Sequence, residues 1–315
     1  MSRRVLISGS VAYDTIMVFE GHFRDHILPD RVHMLNVAFL TPRLKREFGG
    51  CAANIAYNLQ SLGGEAVVLA AVGHDGEPFL KRLRALGVDT APMLRCEDLF
   101  TAQAFITTDL SDNQITAFHP GAMSEAHRVS ASQAAQAGAA WGIVAPNGRD
   151  AMLSHAREFS QAGVPWLFDP GQGLPMFDGA ELREFVEQAS AVAVNDYEAG
   201  LLTERTGWSE EEIASRVQAM IVTRGAEGSV LYEGGRRQLV EAVAVKDPVD
   251  PTGCGDAYRG GLLYGLSAGW SWRDAARLGS LMGALKIAHQ GAQNHPVSRD
   301  EVAARYGALW GTRPW

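Results

Sequence analysis

The run Asp250-Pro251-Thr252-Gly253-Cys254-Gly255-Asp256 gathers two glycines, a thiol and two carboxylates just ahead of the apolar stretch Ala257–Leu266, which reads as a helix. Pro248 and Pro251 keep the preceding chain extended and delay the helix start. Glycines at such a point let consecutive backbone N–H groups face one concavity, and the helix dipole adds positive potential there. That arrangement suits the equatorial oxygens of a phosphoryl group in transfer. A carboxylate at Asp256 would repel a resident phosphate, but it makes sense as a base that takes a proton from an attacking hydroxyl. A plainer reading stands beside this one: Asp caps helices and Gly makes turns. The local signal alone leaves both open.

A second cluster is Phe48-Gly49-Gly50-Cys51-Ala52-Ala53-Asn54. A glycine pair followed by small residues admits a ligand close to the backbone. Asn54, in the first turn of a helix, offers a donor and an acceptor to a polyol. A turn followed by an N-cap would use the same residues. There is no Gly-x4-Gly-Lys-Ser/Thr phosphate loop and no Gly-x-Gly-x-x-Gly dinucleotide fingerprint, which weakens a nicotinamide oxidoreductase. His22 and His26 share helical spacing but lack the glutamate of a zinc protease, so they carry no metal reading.

The elements that must position these clusters alternate in type. Val5–Ser8, Ala66–Val72, Gly142–Ala145, Val164–Phe168, Ala191–Val194 and Met220–Thr223 read as strands. Between them lie helices marked by Ile55, Ala56, Leu59 and Leu62, by Phe79, Leu80, Leu83 and Leu86, and by Met152, Leu153, Ala156 and Phe159. Ser209-Glu210-Glu211-Glu212 matches a capping box. The pattern predicts an α/β fold, a mostly parallel sheet covered by helices on both faces, with ligands at the carboxyl ends of strands. Glu20–Arg46 has no helical period, and Ala102–Thr108 with Gln114–His119 reads as a hairpin joined by Asp109–Asn113. Together these predict a small accessory sheet over the main body; two surface excursions without a role are the plainer alternative.

Bulk composition narrows the function classes. The chain has 315 residues, 46% apolar and 20% charged, with a net charge of −8. That balance disfavours a nucleic-acid partner, which calls for a basic stripe. Three cysteines without a Cys-x-x-Cys pair argue against a disulfide scaffold or structural zinc. Val5-Leu6-Ile7 is too short for a signal-peptide core, and the uncharged stretch 129–148 is too polar to span a membrane, so a cytoplasmic location is expected.

Gly49-Gly50-x-x-x-Asn54, followed by Leu62-Gly63-Gly64 and Val72-Gly73-His74-Asp75-Gly76, resembles the N-terminal signature of the PfkB (ribokinase-like) carbohydrate kinases. The run Asp250–Ala257 resembles their C-terminal signature, and the likeness covers nearly the whole chain. Gly9–Asp14, Ile27-Leu28-Pro29, Phe118–Met123, Asp169-Pro170-Gly171-Gln172 and Asn195-Asp196-Tyr197-Glu198 are similar to the bacterial adenosine kinase and broad nucleoside kinase branch. The resemblance implies one ribokinase-like α/β domain over residues 1–315, with a β-sheet lid inserted from about 14–48 and 98–121. It implies transfer of the ATP γ-phosphoryl group to a nucleoside 5′-hydroxyl.

Roles carried over by that likeness fall on both signatures. Asp14 and Asn54 would hold the ribose 2′- and 3′-hydroxyls, helped by the Gly50 backbone; Phe118 would cover the base and Gln172 would meet the substrate. Asp256 would be the base and touch the substrate, with the backbone of Gly253, Cys254 and Gly255 around the transferring group. Cys254 stands where small residues of several kinds fit, and is read as a spacer. Asn195, Thr223, Gly225, Gly228, Gly253, Gly255 and Gln293 would bind ATP. Asn195 and Glu198 would hold Mg²⁺ through water, and Asp250 and Thr252 are candidates for a K⁺ site. Arg224 departs from the small or apolar residue usual in its loop, and would meet a phosphate or solvent. Arg259, on the helical face of Asp256, would orient the base, meet a phosphate or lie in solvent. The expected partners are ATP and a nucleoside or sugar, with no nucleic acid and no membrane; a homodimer is allowed. A sugar or sugar-phosphate kinase of the same family is the nearest rival, with Arg24, Arg31 and Arg43 available for a second phosphate. A non-catalytic nucleotide- or nucleoside-binding regulator is the rival from another class.

Overall fold

The computed structural model describes residues 3–27, 36–111 and 113–311. Leu28, Pro29, Arg31 and Asp112, all part of the expectations above, lie outside them. The chain runs β1 (Arg4–Ser8), β2 (Ala12–Val18), β3 (Arg43–Gly49), α1 (Cys51–Ser61), β4 (Glu65–Leu69), β5 (Ala71–Gly73), α2 (Glu77–Ala85) and β6 (Leu94–Cys96). It continues with β7 (Ala102–Thr108), β8 (Gln114–His119), α3 (Ala131–Ala135), β9 (Trp141–Val144), α4 (Arg149–Gln161), β10 (Trp166–Phe168), α5 (Gly179–Gln188) and β11 (Ala191–Asn195). Then come α6 (Asp196–Thr206), α7 (Glu210–Ala214), β12 (Ala219–Thr223), β13 (Ser229–Glu233), β14 (Arg236–Val240), α8 (Cys254–Ser267), α9 (Trp272–Ile287) and α10 (Arg299–Trp310).

Eight strands form one sheet in the order β14-β13-β12-β11-β10-β9-β1-β4. All pairings are parallel up to β12, and β13 and β14 close the edge as an antiparallel hairpin. β1 shows why the sheet needs two covers. Val5 and Ile7 join one core with Ile55, Leu59 and Leu262, while Leu6 joins a second core with Met152, Phe159 and Phe185. Each of these side chains is buried, so alternation along the strand feeds both faces, as a central parallel strand requires. α8 lies against α1 because Gly260 has no side chain: a Cβ there would come 2.6 Å from the Cβ of Asn58. One helical turn earlier on each helix stand Asp256 and Asn54.

The accessory sheet is present, in the order β3-β2-β7-β8. β2 and β7 run parallel and the other pairs antiparallel, so it is a mixed sheet. Its register puts Glu47, Asp14, Ala104 and Phe118 in one row across the four strands, hence on one face. The next residue of β2, on the other face, is a core anchor. Tyr13 packs on Phe79 of α2 (ring centroids 5.3 Å apart), and Phe48 of β3 meets the same ring at 4.9 Å.

One local expectation is revised. Ala66–Val72 is not one strand. The chain leaves the large sheet after Leu69, and at Ala70 its carbonyl accepts from Leu94 as β5 turns to pair with β6. All of Ala66–Val72 is buried, so hydrophobicity gave no break signal. Asp14 lies within β2. Among the described residues no helix is long and apolar enough to cross a membrane, and all three cysteines are free thiols.

Phe79 is fully buried and ties the small sheet to the main core. Phe79→Ala should therefore lower stability by about 3–5 kcal/mol in denaturant unfolding. A loss below about 1 kcal/mol would show that these rings do not fasten the sheet.

Candidate active site

α8 starts on Gly253, whose φ of 77° is left-handed and which gives no side-chain cap. The first helical bond runs from Ala257 N to the Gly253 carbonyl (2.9 Å). The Cys254 amide is drawn back to the Pro251 carbonyl (3.1 Å), so it is taken from the expected anion nest. The N–H groups of Gly255 and Asp256 belong to the first turn and have no carbonyl ahead of them in the helix. The Asp256 side chain does not cap this helix. Its Oδ2 accepts a hydrogen bond from Nδ2 of Asn54 at 2.8 Å, across 202 residues of sequence.

Asn54 is itself held from behind. Its Oδ1 accepts from Nε2 of Gln293 (2.9 Å), and Gln293 Oε1 accepts from Nε of Arg82 (3.3 Å). Gln293 is buried and engaged with these two residues, so it stands behind Asn54 and does not line the cavity described below. α1 begins at Gly50, whose φ is 87°; a Cβ there would lie 2.6 Å from the Ser10 carbonyl oxygen. Gly49 is needed for a different reason: a Cβ on it would run into the Asp14 carboxylate. The glycine pair thus brings the start of α1 against Ser10–Ala12 and leaves room for Asp14.

Burial dominates the electrostatics. It pushes the Asp256 carboxyl up; the Asn54 hydrogen bond and Arg259 oppose this and Asp169 adds to it, leaving Asp256 at about 7. Arg259 is buried and donates through Nη2 to Asp169 Oδ1 (2.9 Å) and to the Ala193 carbonyl (3.1 Å). Burial works against its charge, but Asp169 and Glu198 more than offset that. Arg259 is therefore neither solvated nor hydrogen-bonded to Asp256. The Cys254 thiol is raised by burial to about 11, which keeps it protonated near neutrality in spite of its place at a helix start. Asp14 is raised to about 6, first by burial and then by Glu47 directly across from it on β3.

A cavity of about 730 Å³ opens at the carboxyl ends of β10, β11 and β12. Gln172, Asn195, Glu198, Thr223, Gly225 and Gly228 line it, together with Gly253–Asp256. Its apolar wall comes from Val243, Val245, Ala284 and Ile287, which the motif reading did not single out. The run Ala242-Val243-Ala244-Val245 just before the C-terminal signature was the available signal. Asp14, Gly50, Asn54 and Phe118 do not line this cavity. Asp14 and Phe118 share a face of the small sheet, where Phe118 is half exposed. Asp256 belongs to both groups: it lines the cavity and it bonds Asn54.

Asn195 and Glu198 form a reciprocal capping box at the start of α6, with Asn195 Oδ1 accepting from Glu198 N and Glu198 Oε2 from Asn195 N. That leaves Glu198 Oε1 for a ligand. Burial and Asp169 raise the Glu198 carboxyl. Asp169, Glu198 and Asp256 thus set three carboxyl groups around one guanidinium at the cavity floor. Thr252 gives its amide to Asp250 Oδ1 (2.8 Å), and Asp250 Oδ2 accepts from Gly291 N (2.8 Å). Burial pushes Asp250 up, but these amides and Lys286 hold it below the usual range. Of the lid arginines, Arg24 and Arg43 are exposed and paired with Asp25 and Glu20. Arg224 does not line the cavity, and its buried Nε has no hydrogen-bond partner among the described residues.

A base at about 7 must be deprotonated to act, so kcat/KM should climb with pH and level off above about 7. Asn54→Ala removes a bond that favours the carboxylate, so it should move that limb to higher pH. A flat profile from pH 5.5 to 8.5, measured by ADP release, would remove Asp256 from this role.

Three comparisons place the chain among known proteins. The profile described as "pfkB family carbohydrate kinase" matches residues 7–299. A nucleoside kinase of Methanocaldococcus jannaschii is 27% identical over 274 residues, covering 86% of this chain and 89% of that protein. The structure of Burkholderia thailandensis nucleoside kinase in complex with inosine is 52% identical, with a TM-score of 0.88, over 98% of this chain and 99% of that one. The same enzyme in complex with ADP-inosine gives 54% identity and a TM-score of 0.86, over 98% and 97% of the two chains.

Proposed function

This chain belongs to the pfkB family of carbohydrate kinases, and we propose that it is an ATP-dependent nucleoside kinase acting on the 5′-hydroxyl of a nucleoside such as adenosine or inosine. The observation that carries the reading is the bond between Asn54 and Asp256. It joins the start of α8 and its cavity to the element that begins at Gly49-Gly50 beside Asp14.

In the proposed step Asp256 takes the proton of the 5′-hydroxyl as its oxygen bonds to the γ-phosphorus, and the bond from that phosphorus to the β-bridging oxygen breaks to release ADP. The amides of Gly255 and Asp256 donate to the transferring group, and the α8 dipole adds to them. Asp14 accepts from the ribose hydroxyls, and Asn54 offers its remaining N–H. Phe118 covers the base from the same face of the small sheet, which acts as a lid that excludes water. ATP lies in the cavity, with Val243, Val245, Ala284 and Ile287 against the adenine and Thr223–Gly228 near the phosphates. The floor's excess of carboxylates fits a hydrated cation. Glu198, with Asn195 fixing its position, would hold Mg²⁺ through water, and the ion would neutralise phosphate charge. Arg24 and Arg43 give the sugar-phosphate reading little support, since both are paired and exposed. Purine salvage in the cytoplasm is the physiological setting that this activity suggests.

Asp256→Asn should lower kcat by roughly 10²–10⁴ with the circular dichroism spectrum unchanged. Turnover within about threefold of the parent would overturn the mechanism. A panel of adenosine, inosine, guanosine, cytidine, ribose and fructose 6-phosphate, read by ADP release, tests the substrate class. Nucleosides should dominate. Activity confined to the sugars would overturn the reading in favour of a sugar kinase. Ligand-induced thermal stabilisation without ADP would favour a binding protein.

A further inference from the structure

Lys286 stands in the last turn of α9 and is completely buried. Lysine is almost never so buried unless its charge is paired. Its Nζ donates to the backbone carbonyls of Asp250 (2.6 Å) and His289 (3.0 Å), and lies 3.7 Å from Asp250 Oδ2. Two carbonyls accept from its N–H groups, and the Asp250 carboxylate is close enough to pair its charge. Converging carbonyl oxygens of this kind replace the hydration shell of a dissolved monovalent cation.

The ammonium sits where two segments cross. Val249 N and Asp250 N both donate to the Ile287 carbonyl (2.7 and 3.1 Å), and Asp250 Oδ2 accepts from Gly291 N and from Gln290 Nε2 (3.2 Å). From there the chain reaches Gly253, and a Cβ on Gly253 would lie 2.7 Å from the Cβ of Ala292. The 249–253 segment that ends in the anion nest is thus strapped to the 286–292 turn, with one buried positive charge at the strap. K⁺ bound by Asp250 and Thr252 does not fit this arrangement. The Thr252 amide is turned to Asp250, and a second cation would share the same carboxylate with Lys286 against mutual repulsion.

We infer that Lys286 is a tethered stand-in for a monovalent cation, a positioning residue that orders the 249–253 segment and the anion nest without dissolved K⁺. The inference rests on the kinase reading for its effect on ATP, but the tie itself is independent of that reading.

The test compares the parent, Lys286→Met and Lys286→Arg in K⁺, NH₄⁺, Na⁺ and choline chlorides at equal ionic strength. The parent should show the same kcat and KM for ATP in all four salts. In Lys286→Met, KM for ATP should rise about tenfold or more in choline, and K⁺ or NH₄⁺ should restore it where choline does not. The nucleotide-free melting temperature of Lys286→Met should rise in K⁺ or NH₄⁺ relative to choline, while that of the parent does not. Lys286→Arg should keep more of the parent's affinity for ATP than Lys286→Met. Strong stimulation of the parent by K⁺ would overturn the inference. So would a folded Lys286→Met with the parent's KM, or one whose KM and melting temperature ignore K⁺ and NH₄⁺. If Lys286→Met does not fold, the salt response of the parent decides. If no nucleoside or sugar yields ADP, the kinase reading fails, while the melting temperatures still judge the tie.

Discussion

One hydrogen bond, from the Asn54 amide to the Asp256 carboxylate, fixes what the rest of the structure must deliver. Neither residue reaches the other without two helices lying side by side. α1 and α8 do so because Gly260 lets the backbone of α8 come down on Asn58. Behind Asn54 stands Gln293, and behind Gln293 stands Arg82 on α2, so the amide is held from its far end as well. The large sheet supplies the floor under both helices, and its carboxyl edge supplies the cavity. Asp256 is thus positioned by packing, and its hydrogen bond records that packing.

Dehydration sets the chemistry at that point. Asp256, Asp169 and Glu198 share one guanidinium, and burial pushes Asp256 to about 7, near the optimum for a base working at neutral pH. The same burial raises the Cys254 thiol to about 11, which leaves it protonated at the head of the helix. Two residues of one first turn are thus moved in the same direction, and one titrates near neutrality while the other stays silent. The intrinsic acidity of the side chain decides between them, since a carboxyl starts far below a thiol.

The sequence revealed the architecture through period and punctuation. The central strands are short apolar runs, and the Ser209–Glu212 capping box forms as the motif predicts. Residues adjacent in a motif were equally legible, and most of those expected near ATP line one cavity. What could not be read was partnership across long sequence distances. Nothing near Arg259 names Asp169, and nothing near Gln293 reveals that it faces Asn54. Lys286 stands in no motif, and the carbonyls it meets carry no mark in the sequence. Strand breaks inside a fully buried run, as at Ala70, are hidden for a related reason: both sides of the break are equally apolar.

The separation of 202 residues between Asn54 and Asp256 also has a temporal meaning. Loop closure over such a distance costs entropy before any contact returns it. During synthesis the Gly49–Asn54 segment leaves the ribosome well before α8 exists, and domains fold as their parts become available. A nascent chain therefore holds one half of the site without the carboxylate that would make it reactive. The proposed chemistry can begin only when the fold has closed on itself.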